Sequence, residues 1–279
     1  MYNNQRIIKE LKPYIPVADI FRIYEKEAGC AFLDSSLVND LGRYSIIGRA
    51  PYLKLVKDGD TFTVNGKPET GKTFEDYMRE YLNTHEDKNE CPLPIVSGAI
   101  GYFSYDYGRE QMGVPTGEKD LVTIPEAVLT FYDCFIVEDC REKRIYLVSN
   151  GITGNAPELI RSMEKEIQEN VKFGKISVSE AEKKITDPVS HREKFKIQVH
   201  PNFEKEEYKQ AVDRMIRYII EGDIYIANMT QQLTIESKKQ PLDVFYDLRK
   251  NNPSPFGGYM DFGDYQIICA SPERFLKMK

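Results

Sequence analysis

Four short segments carry residue types that could do chemistry. In "ASPERF" (Ala270 to Phe275) Pro272 forces Ser271 into an extended conformation, and strand alternation then sends Glu273 and Arg274 to opposite faces. A carboxylic acid at Glu273, buried between apolar neighbours, could carry a proton; a surface Glu-Arg pair would simply stay solvated. In "LDSSLVNDLGRYSIIG" (Leu33 to Gly48) Asp34, Ser35 and Ser36 end one extended run, and Arg43, Tyr44 and Ser45 begin the next. Turn formers beside a surface arginine are one reading. The other is a small amino-acid pocket, with a seryl oxygen and backbone groups for the ammonium and carboxylate and aromatics for the side chain. "NNPSPFGGYMDFG" (Asn251 to Gly263) sets two prolines and three glycines among aromatics, which suits a rigid entry to a hairpin. In "DIYIANMTQQLTIE" alternation places Asn228, Thr230, Gln232 and Thr234 on one face, either toward solvent or lining a cavity whose uncharged donors could hold an acidic ligand.

The elements that must position these residues follow from periodicity. "VADIFRIYEKEAG" puts Val17, Ile20, Phe21 and Tyr24 on one helical face and stops at Gly29. "AFLDSS", "RYSIIG", "YLKLVKDGDTFTVNG" and "IVSGAIGYFSYD" read as strands, punctuated by the turn formers Asp58-Gly59 and Asn65-Gly66. "TFEDYMREYL" is a helix behind a Thr73 cap. "AVLTFYDCFIVED" and "RIYLVSN" form a hairpin about Arg141 to Lys143, and "APELIRSMEKEIQENV" is an amphipathic helix through Leu159, Ile160, Met163 and Ile167. Residues 172–201 are polar, contain Pro188 and Pro201, and read as a linker. Beyond it, "NFEKEEYKQAVDRMIRYIIEG" is a helix striped by Tyr208, Val212, Met215 and Ile219, with Asn202 to cap its start and Gly222 to end it. The final stretch is a hairpin about Gly263-Asp264. Antiparallel hairpins with irregularly interspersed helices predict an α+β protein of antiparallel sheets: a domain over 1–171, the linker 172–201, and the beginning of a second domain over 202–279.

Composition narrows the function classes. The 279 residues are 41% hydrophobic and 29% charged, with no run approaching the ~20 apolar residues of a membrane span. Five scattered cysteines and a charged N-terminus point to reduced thiols and a cytoplasmic location. Neither the cysteines nor the three histidines show zinc-ligand spacing. A net charge of −6 without a basic stripe argues against nucleic acid as a partner, and no membrane partner is expected. Glycine-rich nucleotide loops and the G-x-S-x-G hydrolase signature are absent from the sequence.

Five segments in order carry a resemblance: "FLDSS…GRYSIIG", "GAIGYFSYDYGRE", "IPEAVLTFYDCFIVED", "GDIYIANMTQQL" and "NPSPFGGYMDFGDYQIICASPERFL". The chain resembles the chorismate-utilising enzymes, and within them component I of aminodeoxychorismate synthase (the para-aminobenzoate synthase large subunit), sister of anthranilate synthase component I. Three positions lean that way. The sister usually carries Leu-Leu-Glu-Ser where Phe32-Leu33-Asp34-Ser35 stands, Pro-Tyr-Met at Pro255-Phe256-Gly257, and an aliphatic residue after the Ser-Pro-Glu where Arg274-Phe275 stands.

The resemblance implies an anthranilate synthase component I-like fold and replacement of chorismate's C4 hydroxyl by ammonia from a glutamine amidotransferase subunit. The product would be 4-amino-4-deoxychorismate, for folate synthesis. It further implies Glu273 as general acid/base, Mg2+ on the substrate's carboxylate, and a tryptophan pocket built from Ser35, Leu41, Gly42, Arg43, Tyr44, Pro255, Phe256 and Gly257. The family's nucleophilic lysine, magnesium-binding glutamates and most carboxylate-binding groups would fall beyond Lys279, so no metal ligand is expected within the chain. A fold incomplete at its C-terminus, inactive alone, with an unpaired strand prone to self-association, is the resulting expectation. Anthranilate synthase component I, and a non-catalytic fragment binding tryptophan or a partner, remain open beside it.

Overall fold

The computed structural model describes residues 6–87, 90–114, 122–174, 176 and 198–278. The chain forms two compact units, Met1–Glu180 with Pro241–Lys279, and Ala181–Gln240. The first unit opens with β1 (Ile7–Leu11), α1 (Val17–Tyr24), β2 (Ala31–Asp34), β3 (Tyr44–Asp58), β4 (Thr61–Val64) and β5 (Lys67–Pro68). It continues with α2 (Phe74–Thr84), β6 (Ala99–Phe103), α3 (Tyr105–Gln111), β7 (Ala127–Asp139), β8 (Arg144–Ser149) and α4 (Ala156–Lys172). The second unit holds β9 (Val199–Pro201), α5 (Lys205–Glu221) and β10 (Leu233–Ile235). The chain then rejoins the first unit as α6 (Pro241–Asn251), β11 (Phe256–Asp261) and β12 (Gln266–Ser271).

The first unit is built on a ten-stranded sheet ordered β1-β8-β7-β3-β2-β11-β12, with β6 added to β7 and β4 then β5 added to β3. Its pairings are antiparallel, as the α+β expectation requires. Turn chemistry sets the hairpins: Gly59, Asn65, Gly66, Lys143 and Gly263 all take positive φ, where glycine and asparagine are least strained. "RYSIIG" and "YLKLVKD" form one strand rather than two, because an irregularity between Pro51 and Leu53 absorbs the break without ending the β3–β7 ladder.

Both faces of the central strands are buried, so β7 reads as a nearly continuous apolar run rather than an alternating one. Cys134 and Ile136 face one core with Phe21 of α1, Ile160 and Met163 of α4 and Phe245 of α6. Phe135 and Val137 face another with Ile100, Tyr132 and Met260. Thr73 caps α2 by accepting from the Asp76 N–H at 3.1 Å, and Ile160, Met163 and Ile167 are the buried stripe of α4, both as the sequence predicts.

Several expectations need correction. The predicted 202–279 domain is divided, since β11 pairs with β2 and Phe245 enters the first unit's core, drawing 241–279 into that unit. Most of the predicted linker 172–201 lies outside the described residues. In the second unit, Asn202 does not cap α5: its Oδ1 accepts the Gln232 N–H at 2.8 Å, and Glu204 with Glu207 forms a capping box instead. The alternating segment 223–236 is a strand only at Leu233–Ile235, paired with β9. β1, α3 and α6 escape the sequence reading altogether.

Candidate functional site

The predicted pocket residues converge where the end of β2, the start of β3 and the start of β11 meet. Gly257 stands opposite Asp34 in the β11–β2 ladder, which brings Pro255 and Phe256 beside Ser35. The Ser35 N–H donates to Ser45 Oγ at 3.0 Å. Its hydroxyl lies 2.8 Å from the Tyr44 carbonyl oxygen and 3.0 Å from that of Pro255, so a single proton serves two acceptors. The Leu37 N–H donates to the Ser254 carbonyl at 3.0 Å, and the Ser254 N–H to Ser36 Oγ at 2.9 Å. Ser35 is therefore a buried strut between the end of β2, the start of β3 and the start of β11.

The loop from Leu37 to Arg43 is folded on itself. Asn39 Oδ1 accepts the N–H groups of Leu41 and Gly42 at 2.8 and 2.9 Å, and its own N–H donates to the Gly42 carbonyl at 3.0 Å. This arrangement explains Gly42: a Cβ there would stand 2.6 Å from the Leu37 carbonyl oxygen and 2.8 Å from Pro255 Cα. The loop is thus pressed against the start of β11, with only glycine small enough to allow it.

Two ion pairs brace the site. Arg43 grips Asp139 through Nε (3.0 Å) and Nη2 (2.6 Å). Burial works to raise the Asp139 pKa, but the Arg43 hydrogen bond and the N–H groups of Glu142 and Arg141 outweigh it and hold the carboxyl below its ordinary value. Asp34, its side chain 1% exposed, accepts from Arg249 Nε at 2.8 Å. Here burial wins over the arginine, and the Asp34 pKa stands above the ordinary carboxylate value. Ser45 Oγ, 3.3 Å from Asp34 Oδ1, lies 3.4 Å from the Cys140 thiol, whose pKa burial pushes up to about 11.

Leu41 is exposed, while Arg43, Tyr44, Phe256 and Arg274 are half-buried, Tyr44 packing in part against the second core. The Arg43 guanidinium lies 5.0 Å from the Tyr44 ring centroid and that of Arg274 5.0 Å from the Phe256 ring. With Arg43 committed to Asp139, two aromatic rings and the one guanidinium of Arg274 remain as groups that suit a small aromatic anion or amino acid, and they offer no nucleophile.

Glu273 is placed differently from the buried acid its apolar neighbours allow. It is exposed beyond the end of β12, its N–H donating to Ser271 Oγ at 3.3 Å, and residues 272–278 pair with no strand among the described residues. Asn228, Thr230 and Thr234 are likewise exposed, in the second unit. A cleft of about 760 Å³, lined among others by Tyr52, Lys54, Thr130, Tyr132 and Phe262, includes none of the predicted site residues. Among the described residues no group of three or more His, Cys, Asp or Glu is placed to hold a metal ion. No helix among them is long and apolar enough to cross a membrane.

The sequence reading missed Arg249, Asp139, Ser254 and Asn39, which hold the site from behind. Only Asn39 left a local signal, an asparagine three residues before a glycine, as turn chemistry favours.

Comparison with known proteins gives these features a context. The family model described as chorismate binding enzyme matches residues 39–279. Anthranilate synthase component 1 of Acetivibrio thermocellus is 28% identical over 93% of this chain and 54% of its own length. Aminodeoxychorismate synthase component 1 of Bacillus subtilis is 27% identical over 85% of this chain and 50% of its own. The crystal structure of anthranilate synthase component I from Streptococcus pneumoniae superposes with a TM-score of 0.64 at 22% identity, covering 85% of this chain and 52% of that one, and shows the shared fold. The chain spans about half the length of the curated relatives it matches. With more than half of its residues under that family match, the chain belongs to the chorismate-binding enzyme family.

Proposed function

We propose that the chain is the aminodeoxychorismate synthase form of component I. In this reading chorismate's C4 hydroxyl is exchanged for ammonia, supplied by a glutamine amidotransferase subunit, to give 4-amino-4-deoxychorismate and water. Glu273 hands a proton to the departing C4 oxygen, which leaves as water. The group is exposed in the chain alone, so the substrate and its surroundings must exclude water around it for that transfer to be efficient. Magnesium on the substrate's carboxylate belongs to the same reading, with ligands outside the residues described, and location in the cytoplasm goes with it.

One observation carries the choice between sisters. Phe256 and Arg274, two of the positions at which this chain departs from the anthranilate pattern, touch each other, the guanidinium lying over the ring. Two of the three departures are therefore in contact with each other, while the third, at Asp34, is held by Arg249. The surface bounded by Leu41, Tyr44 and Phe256 is read as a tryptophan-type amino-acid pocket, with Ser35, Gly42, Arg43, Pro255 and Gly257 as its frame. The relatives' names favour a second reading, anthranilate synthase component I.

Both readings are tested by incubating the folded chain with chorismate, ammonium and Mg2+ and separating the products. Aminodeoxychorismate supports the proposal; anthranilate replaces it with the second reading. No product refutes turnover by this chain alone and leaves the binding role, which a second measurement addresses. The protein contains no tryptophan, so fluorescence anisotropy of added L-tryptophan reports binding without background. A flat titration would remove the pocket assignment.

A further inference from the structure

The irregularity in β3 sits in a notch of the sheet. β3 pairs with β2 as far as Gly48 and with β4 only from Leu55, so residues 49–54 have no strand on that side among the described residues. Side chains answer the backbone there instead. Glu27 Oε1 accepts the Ala50 N–H at 3.4 Å, Asn65 Oδ1 accepts the Lys54 N–H at 2.7 Å, and Asn65 Nδ2 donates to the Tyr52 carbonyl at 3.3 Å. Ala50 takes a φ of 52°, strain of the kind that clusters at binding sites. The cleft of about 760 Å³ lies in this notch, inside the first unit, and is of a size that holds a small molecule.

The lining of the cleft divides by chemistry. Cys30, Ala31, Ile100 and Met260 are buried and make an apolar floor, with the half-buried rings of Tyr52 and Phe262 beside it. The Tyr132 hydroxyl is committed to the Gly29 carbonyl at 2.7 Å. Both lining carboxylates are engaged, Glu27 by Arg49 Nε at 2.7 Å, and Asp261 by the Gly263 N–H at 2.8 Å and the Gln266 amide at 3.1 Å. The two ammonium groups are not. Neither Lys26 nor Lys54 forms an ion pair among the described residues, and half-buried Lys54 lies 5.7 Å from the Phe262 ring centroid. An unpaired, partly desolvated cation above an apolar floor calls for an anion on an apolar body. Phosphate fits poorly, because the backbone N–H groups that would cradle it, those of Ala50 and Lys54, are already taken.

We propose that this notch is a ligand site, separate from the one described above, for a small cyclic carboxylate. Its ring lies on the apolar floor between Tyr52 and Phe262, its carboxylate meets Lys54, and Lys26 adds charge at the rim. The site uses no residue of the proposed reaction or of the amino-acid pocket, so failure of those readings leaves it standing.

Benzoate is the probe, titrated against the full chain by saturation-transfer NMR. A ligand this small should bind with a Kd of about 1 mM. Benzyl alcohol, the same ring without the charge, should bind about tenfold more weakly, and Lys54→Met should weaken benzoate by about the same factor, the effect of losing one charge-assisted hydrogen bond. Lys54→Arg should restore it. Lysine acetylation read by mass spectrometry needs no variant: benzoate should slow acetylation of Lys54 and leave that of Lys165 on α4 unchanged. Absence of benzoate binding overturns the site. Equal binding of benzyl alcohol overturns the carboxylate role. Benzoate binding that leaves Lys54 unprotected, or that persists undiminished in Lys54→Met, puts the anion elsewhere and overturns the assignment.

Discussion

Replacing Arg249 by methionine tests the electrostatic frame behind the site. Asp34 is 1% exposed at its side chain and Arg249 33%, joined by one 2.8 Å hydrogen bond; the carboxylate's further partners are Ser45 Oγ at 3.3 Å and the Ser36 side chain. Removing one member of a buried ion pair costs about 3–5 kcal/mol, and partial exposure of the arginine puts the expectation at the lower end, about 3 kcal/mol. For a domain of this size that lowers Tm by roughly 6–12 °C. The pH dependence has a definite sign. The Asp34 pKa is already raised by burial, so the folded state binds the proton more tightly than the unfolded one, and the charged carboxylate works against the fold as pH climbs through the raised value. Without Arg249 that value rises further, and protonation relieves more of the cost. Thermal unfolding followed by circular dichroism at pH 8 and pH 5 should therefore show a larger deficit for Arg249→Met at the higher pH. The double variant Asp34→Asn, Arg249→Met should be more stable than Arg249→Met alone at pH 8, since the amide carries no charge to strand. A loss below about 1 kcal/mol at pH 8, or equal losses at both pH values, would refute the reasoning, because Asp34 would then not depend on Arg249 for its charge.

Four further substitutions probe the frame and the fold. Gly42→Ala drives a Cβ to within 2.6 Å of the Leu37 carbonyl and should cost about 1–3 kcal/mol with loss of tryptophan binding; urea unfolding and ligand anisotropy check both. Ser35→Ala leaves the Ser45 bond to the backbone intact but removes the strut between Tyr44 and Pro255, a loss of about 1–2 kcal/mol measurable by urea unfolding. Gly101→Ala would drive a Cβ into the Val128 carbonyl on the neighbouring strand, so expression should yield insoluble protein, and a soluble, stable variant would contradict the β6–β7 pairing. Phe245→Ala, in a fully buried position of the core, should cost about 3–5 kcal/mol by the same urea assay; a neutral effect would place α6 outside that core.

What the sequence could disclose was whatever depends on neighbours along the chain. The Asn65-Gly66 turn, the Thr73 cap, the α4 stripe and the 256–271 hairpin each rest on a few adjacent residues, and periodicity or turn chemistry found them. α6 escaped because its apolar residues, Leu242, Phe245 and Tyr246, cluster beside a proline and charged groups and form too short a stripe to stand out. The alternation over 223–236 pointed to a strand, yet alternation supplies no partner, and pairing reached only Leu233–Ile235. At the site, resemblance supplied the convergence of Ser35 with Pro255. The supports behind it, Arg249 for Asp34 and Asp139 for Arg43, are pairings over 215 and 96 residues that no local pattern encodes.

The return of the chain to the first unit has a consequence in time. β2 gains β3 as a neighbour almost at once, but its other flank waits for β11, and the Ser35 to Pro255 contact spans 220 residues. Ribosomes add about 5–20 residues per second, so β2 presents an open backbone edge for roughly 10–40 s on every nascent chain. Closing a loop of that length costs about 2 kcal/mol more than closing one a tenth as long. Phe32 and Phe21 stay without Tyr259 and Phe245 through that interval. Completion of this core therefore cannot precede synthesis of the hairpin, and until then the free edge of β2 and the Phe21 and Phe32 rings lack the neighbours that cover them in the fold.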